Sequence, residues 1–126
     1  MHIVMYTDGG TSGGNPGFGY GSYCFMLEGY PPIYGKGNFG LNCTSNEAEY
    51  KALLLGLARV KEYSTEIELE IRLDSALLVG QLQRDWKVKA SNLELLWSRA
   101  MYRLNEFDAW RIVKVPREEI EIVLGH

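Results

Sequence analysis

The stretch TSNEAEYKALLLGL, residues 44–57, is where the hydrophobic period of this chain changes. Before it, apolar residues come in short alternating runs between glycines. Within it, Ala48, Ala52, Leu53, Leu55 and Leu57 make a largely apolar helix that runs to about Val60. Thr44 or Ser45 is the candidate N-cap, and Glu47 and Glu49 fall in the first turns, where the helix dipole favours carboxylates. Residues 66–73, containing IELEIRL, alternate again and read as a strand. A strand-helix-strand order calls for a crossover and a parallel pairing.

On the N-terminal side, residues 2–7 read as a buried strand ending at Asp8. The glycine-rich segment 9–21 follows, with the turn signal Asn15-Pro16. Residues 20–27 and 33–41 supply two more strands around a turn at Gly29 and Pro31-Pro32, which completes a meander. On the C-terminal side, residues 75–82 read as a short helix. Residues 91–104 read as a longer one, with Leu93, Leu96, Ala100 and Leu104 at helical spacing. Residues 110–115 form a last strand stopped by Pro116, and residues 117–126 read as a short, mixed tail. Trp97, Tyr102 and Trp110 read as packing residues. The order β-β-β-α-β-α-α-β describes an α/β chain, and its 126 residues fit a single domain, 1–126.

Apolar residues make up 46% and aromatics 12%, enough for a packed core. A net charge of −3 argues against attachment to nucleic acid through a large basic surface, but leaves room for a local phosphate-binding groove. Cys24 and Cys43 lack CxxC spacing and read as buried free thiols of a reducing compartment. No stretch approaches the roughly 18 apolar residues of a membrane span. The expectation is a soluble, cytoplasmic monomer. The glycine run lacks GxxxxGK[ST], and no GxGxxG-helix unit follows it, so it does not read as a nucleotide cradle. His2 and His126 have no metal-like partner at helical spacing, which argues against zinc.

Three acids stand at element boundaries: Asp8 at a strand end, Glu49 at a helix start and Asp74 at a strand end. Each has a plain structural reading. Asp8 could cap a turn, Glu49 satisfy the dipole and Asp74 cap the next helix. Glu47, beside Glu49, reads as a solvated first-turn acid. Ligands of open α/β sheets gather outside the ends of such strands. Three converging carboxylates repel unless a cation sits among them, and all-oxygen donors suit Mg²⁺ or Mn²⁺. Two such ions can clamp the attacking and leaving oxygens of a phosphodiester.

With TDGGTSGGNPG, TSNEAEYKALLLGL, LDS and VPRE in this order, the chain resembles ribonuclease H type 1 over residues 3–118. The resemblance implies a five-stranded mixed sheet in order 3-2-1-4-5 flanked by helices. It implies cleavage of the RNA strand of RNA/DNA hybrids with two Mg²⁺ or Mn²⁺ ions, leaving 5′-phosphate and 3′-hydroxyl ends. Asp8, Glu49 and Asp74 match three catalytic metal ligands, and the hybrid is the implied partner. Gly9, Gly10, Thr11 and Asn15 lie in a segment, 9–15, that resembles the loop following the RNA strand, where small residues let backbone groups approach 2′-hydroxyls. Asn46 resembles a minor-groove contact. Thr44 resembles a contact to a DNA phosphate, Trp86 an aromatic supporting the DNA strand, and Lys87 and Lys89 phosphate contacts. Arg117 reads equally as a phosphate contact or a solvated side chain.

The chain departs from the family pattern at its C-terminal side. Leu124 stands where a fourth catalytic Asp is expected and Ile120 where Asn is expected, so the C-terminal helix is expected to be short or missing. Glu118, Glu119, Glu121, His126 and the terminal carboxylate are the nearby substitutes, and nothing in the sequence selects one. A weaker second-ion site and slow turnover follow from the resemblance. The alternative reading is a catalytically weak or inactive hybrid-binding module on the same fold.

Overall fold

The computed structural model describes residues 1–126. The meander is β1 (His2–Ser12), β2 (Gly17–Met26) and β3 (Ile33–Cys43), paired antiparallel. Helix α1 (Ser45–Lys61) then crosses over to β4 (Glu68–Leu73), which lies parallel to β1. Helices α2 (Ala76–Leu82) and α3 (Ser91–Leu104) lead to β5 (Ala109–Lys114), parallel to β4, and α4 (Arg117–Leu124) follows. The sheet order is β3-β2-β1-β4-β5, the expected 3-2-1-4-5.

Helix α1 starts where its sequence directs. The Thr44 hydroxyl accepts the Glu47 N–H at 3.1 Å, and the Glu47 carboxylate accepts the Thr44 N–H at 2.9 Å. This capping box satisfies two of the helix's free amides. Glu47, expected as a solvated acid, is therefore a structural one. Helix α1 packs against both the sheet and α3, so Leu53, Leu57 and Val60 are all fully enclosed. Each contributes roughly 1.5–3 kcal/mol through burial.

The largest correction concerns the glycine segment. Gly9, Gly10 and Thr11 are not in a loop: β1 continues to Ser12, with Asp8 opposite Ser22, Gly9 opposite Gly21 and Thr11 opposite Gly19. Only residues 13–16 turn, with Gly13 and Gly14 at positive φ. The β1–β4 ladder stops at Tyr6 and Arg72. The second half of β1 therefore pairs with β2 alone, and the first turn of α1 closes against its free side at Gly9. A Cβ built there would lie 2.3 Å from the Ala48 carbonyl oxygen. Only glycine permits that approach.

A second correction concerns residues 117–126, which are not a mixed tail, although the C-terminal helix, expected to be short or missing, is indeed short. They hold a short helix, α4, whose Ile120 is fully buried with Tyr6 and Val115 against the sheet face opposite α1. The Tyr6 hydroxyl donates to Glu119 Oε2 at 2.7 Å. Gly125, at φ 81°, ends the helix in the left-handed region, its N–H donating to the Glu121 carbonyl at 2.8 Å. Tyr102, expected to pack, is 69% exposed on α3. Cys24 and Cys43 are buried free thiols, as expected.

Candidate active site

Asp8 lies midway along β1, Glu49 in the second turn of α1, and Asp74 directly after β4. Their carboxylate oxygens lie within 4.8 Å of one another. Asp74 does not cap α2. Ser75 does, its hydroxyl accepting the Leu78 N–H at 3.2 Å. The strand-end reading of Asp74 and the helix-start reading of Glu49 thus converge on one point.

Crowding three acids has an electrostatic cost. Asp8 is only 4% exposed, and burial raises its pKa, opposed by the hydrogen bond and charge of Arg117. Burial, then the neighbouring charges of Asp8 and Asp74, push the Glu49 carboxyl up to about 9. Glu49 Oε2 is buried without a hydrogen-bond partner. A buried, unsatisfied carboxylate oxygen costs free energy that a bound cation would recover. The donor set is all oxygen and anionic, so these residues fit a hard divalent ion such as Mg²⁺ or Mn²⁺.

The raised pKa of Glu49 has a definite sign. Folded and free of ions, the protein holds this proton until about pH 9, whereas the unfolded chain releases it near the ordinary 4.5. Unfolding therefore releases a proton in that window, and stability falls as pH rises through it. Glu49→Gln has no such proton. In chelator at about pH 8 its Tm should exceed that of wild type by several degrees, and its Tm should fall less from about pH 5 to about pH 8. Parallel Tm–pH curves for the two proteins would rule this account out.

Two groups that the sequence offered only among alternatives, Arg117 and His126, stand at the site. Arg117 Nη1 donates to Asp8 Oδ2 at 2.9 Å and to Asp74 Oδ2 at 3.3 Å. Its Nη2 donates to the His126 carbonyl at 2.7 Å. His126 Nδ1 lies 3.2 Å from Asp8 Oδ2, its Nε2 lies 2.5 Å from the Ser22 hydroxyl, and its ring meets Tyr20 edge-on. Leu124 packs with Tyr6, Val115 and Ile120, so no acid occupies the fourth position. Glu119 is held by Tyr6 on the other side of α4, and Glu121 lies 3.6 Å from Arg117 Nε. Of the four candidate side chains, only His126 touches one of the three acids. The signal in the sequence was Arg117 opening a short helix and Gly125 turning the chain back after it.

The other expected residues are spread more widely. Asn15 Oδ1 accepts the Ser45 N–H at 2.9 Å, tying the hairpin tip to the start of α1, where Asn46 is exposed. Thr44 uses its hydroxyl oxygen in the cap. Trp86 is 50% exposed and lies across Gly80 of α2. With Arg84, Lys87 and Trp97 it lines a groove of about 490 Å³. Lys89 is exposed in the same loop and does not line that groove.

A family profile described as reverse transcriptase-like matches residues 24–123. The chain is 30% identical over 134 residues to a ribonuclease H of Caldicellulosiruptor saccharolyticus, covering 98% of this chain and 83% of that one. It is 34% identical over 120 residues to a bifunctional protein of Mycobacterium tuberculosis, covering 93% of this chain and spanning about a third of the length of that relative, 32%. Ribonuclease H1 of Halobacterium salinarum superposes with a TM-score of 0.89 at 29% identity, covering 99% of this chain and 93% of that one. LC11-RNase H1, solved in complex with an RNA/DNA hybrid, superposes with a TM-score of 0.87 at 29% identity, covering 98% and 91%. Fold and acids define a nuclease-type α/β protein. The chain belongs to the ribonuclease H family of enzymes.

Proposed function

We propose that this chain, as one domain spanning residues 1–126, hydrolyses the RNA strand of RNA/DNA hybrids with two Mg²⁺ or Mn²⁺ ions, leaving 5′-phosphate and 3′-hydroxyl ends. The observation that carries this reading is the convergence of Asp8, Glu49 and Asp74, with Glu49 Oε2 left unpartnered. These three would hold the ions. When bound, divalent ions lower the pKa of the attacking water and neutralise charge gathering on the phosphate. Glu49 gives up its proton as the site loads. Arg117, which donates to both Asp8 and Asp74, balances their charge and keeps the two carboxylates aimed at each other.

The substrate would lie across the open side of the sheet end. Gly9, Gly10 and Thr11 present strand backbone without bulky side chains to RNA 2′-hydroxyls. Asn15, Thr44 and Asn46 line the junction between the hairpin and α1. Trp86 offers an exposed face to the DNA strand, with Lys87 and Lys89 for its phosphates. None of the surface grooves includes the three acids, which suits a site that meets a duplex backbone rather than enclosing a small ligand. No helix is long and apolar enough to cross a membrane. The buried free thiols suit a reducing compartment such as the cytoplasm, where the chain would act as a monomer.

The test is cleavage of an end-labelled RNA/DNA hybrid in Mg²⁺, Mn²⁺ and chelator, with double-stranded RNA and DNA duplex alongside. The expected result is metal-dependent cutting of the hybrid's RNA strand alone. Hybrid binding without cutting in either metal would overturn the enzymatic reading in favour of a binding module.

A further inference from the structure

The chain carries a net charge of −3, yet the groove between α1 and α3 is lined by cations. The two helices lie side by side and point the same way. Asn92 stands beside Glu47 at their starts, and Lys61 donates to Glu106 at their ends. At about 1.5 Å per residue the groove runs roughly 21 Å from Glu47 to Lys61. Leu54 and Ala58 of α1 form one wall, and Ser98, Arg99, Tyr102 and Arg103 of α3 form the other, around about 570 Å³. No other surface groove of the chain is as large.

Its charges do not cancel internally. Glu47 is held in the Thr44 cap, and Glu106 is shared between Lys61 and Arg103. Arg99 makes no ion pair. Neither does Lys51, which follows Glu47 by one turn on the same face of α1. Tyr102 is 69% exposed, with the Arg103 guanidinium 5.8 Å from its ring centre. One exposed aromatic is ordinary. An exposed ring among unpaired cations is what a single nucleic-acid strand uses, its bases stacking on the ring and its phosphates meeting the charges. The groove also opens, at the start of α1, beside Thr44 and Asn46, where the proposed reading places the hybrid. A protein helix would need a continuous apolar floor, and Leu54 and Ala58 offer only a short one facing arginines.

We propose that the α1–α3 groove holds the single-stranded continuation of the DNA strand beyond the hybrid, with Tyr102 stacking on a base and Lys51 and Arg99 meeting phosphates. This rests on the reading that the chain binds hybrids at the acid cluster.

The experiment measures binding, in chelator, of a blunt RNA/DNA hybrid and of two others carrying a DNA extension of about six nucleotides at one end or the other. Cleavage of the blunt hybrid in Mg²⁺ is followed with the same proteins, and circular dichroism confirms their folding. Wild type should bind one of the extended hybrids about fivefold or more tightly than the blunt one. Arg99→Glu and Tyr102→Ala should each erase most of that gain, whereas Tyr102→Phe, which keeps the ring, should retain it. All three variants should cut the blunt hybrid at the wild-type rate. Extensions that add nothing to wild-type affinity, or a gain that Arg99→Glu and Tyr102→Ala both retain, would overturn the proposal and leave the groove to a protein partner, while cleavage of the blunt hybrid would keep the catalytic reading standing. Wild type that binds no hybrid, blunt or extended, would overturn hybrid binding and the proposal together.

Discussion

Asp8→Asn should lower RNA-strand cleavage by about 10³-fold while leaving hybrid affinity unchanged or improved. The side chain keeps its shape and loses its charge. Asp8 is the most enclosed of the three acids and the one on which Arg117 and His126 both converge. The neutral amide removes an anionic donor from ion binding and weakens two charge-assisted contacts at once. On the proposed reading the hybrid is held by residues elsewhere, and one fewer negative charge lessens repulsion of the phosphates. Rates and dissociation constants measured separately, with binding read in chelator, check both halves. Activity within tenfold of wild type would remove Asp8 from the chemistry.

Gly9→Ala should cost both stability and activity, and Gly10→Ala much less of either. At Gly9 a Cβ meets backbone: the Ala48 oxygen at 2.3 Å, the Ala48 carbon at 2.4 Å and the Glu49 nitrogen at 2.7 Å. Backbone in a capped helix cannot turn aside, so β1 and α1 must part. Overpacking of this kind costs about 2–3 kcal/mol, on the order of 10 °C in Tm for a chain this size. Parting the elements also moves Glu49 away from Asp8, and a displacement of about 1 Å at a catalytic group can cost about 10²-fold in rate. At Gly10 the Cβ meets the Tyr20 hydroxyl at 3.0 Å, the far end of a side chain that can rotate. Thermal melts and single-turnover rates of the two variants make the comparison. Equal losses at both positions would contradict the close approach as its cause.

The acids were legible because each lies in or directly after an element whose apolar period is clear: Asp8 after the apolar run that opens β1, Glu49 inside the helix begun at Thr44, Asp74 after IELEIRL. The parallel pairing followed from the crossover, and the full strand order from the family resemblance. What stayed hidden was non-local. Gly9 and Gly10 discourage a strand taken alone, yet the ladder with β2 and the contact with α1 hold them in one. Helix α4 has eight residues and buries Ile120, too little to register as a period and too short to persist without the sheet beneath it. Arg117 and His126 meet the acids only because that helix docks and Gly125 turns the chain back. Glu47 looked like a decoy for Glu49 and proved to be half of the cap that fixes where Glu49 points.

The modest anchorage of α4 sets how this site breathes. A two-turn helix with one fully enclosed side chain, held otherwise by half-buried apolar contacts and polar contacts at its edge, has fewer buried contacts than the sheet strands and belongs nearer the low-energy end of the molecule's opening motions. Asp8 and Glu49 sit on β1 and α1, and Asp74 directly follows β4, all outside α4. The arginine side of the site can therefore lift away and return while its carboxylate side stands still.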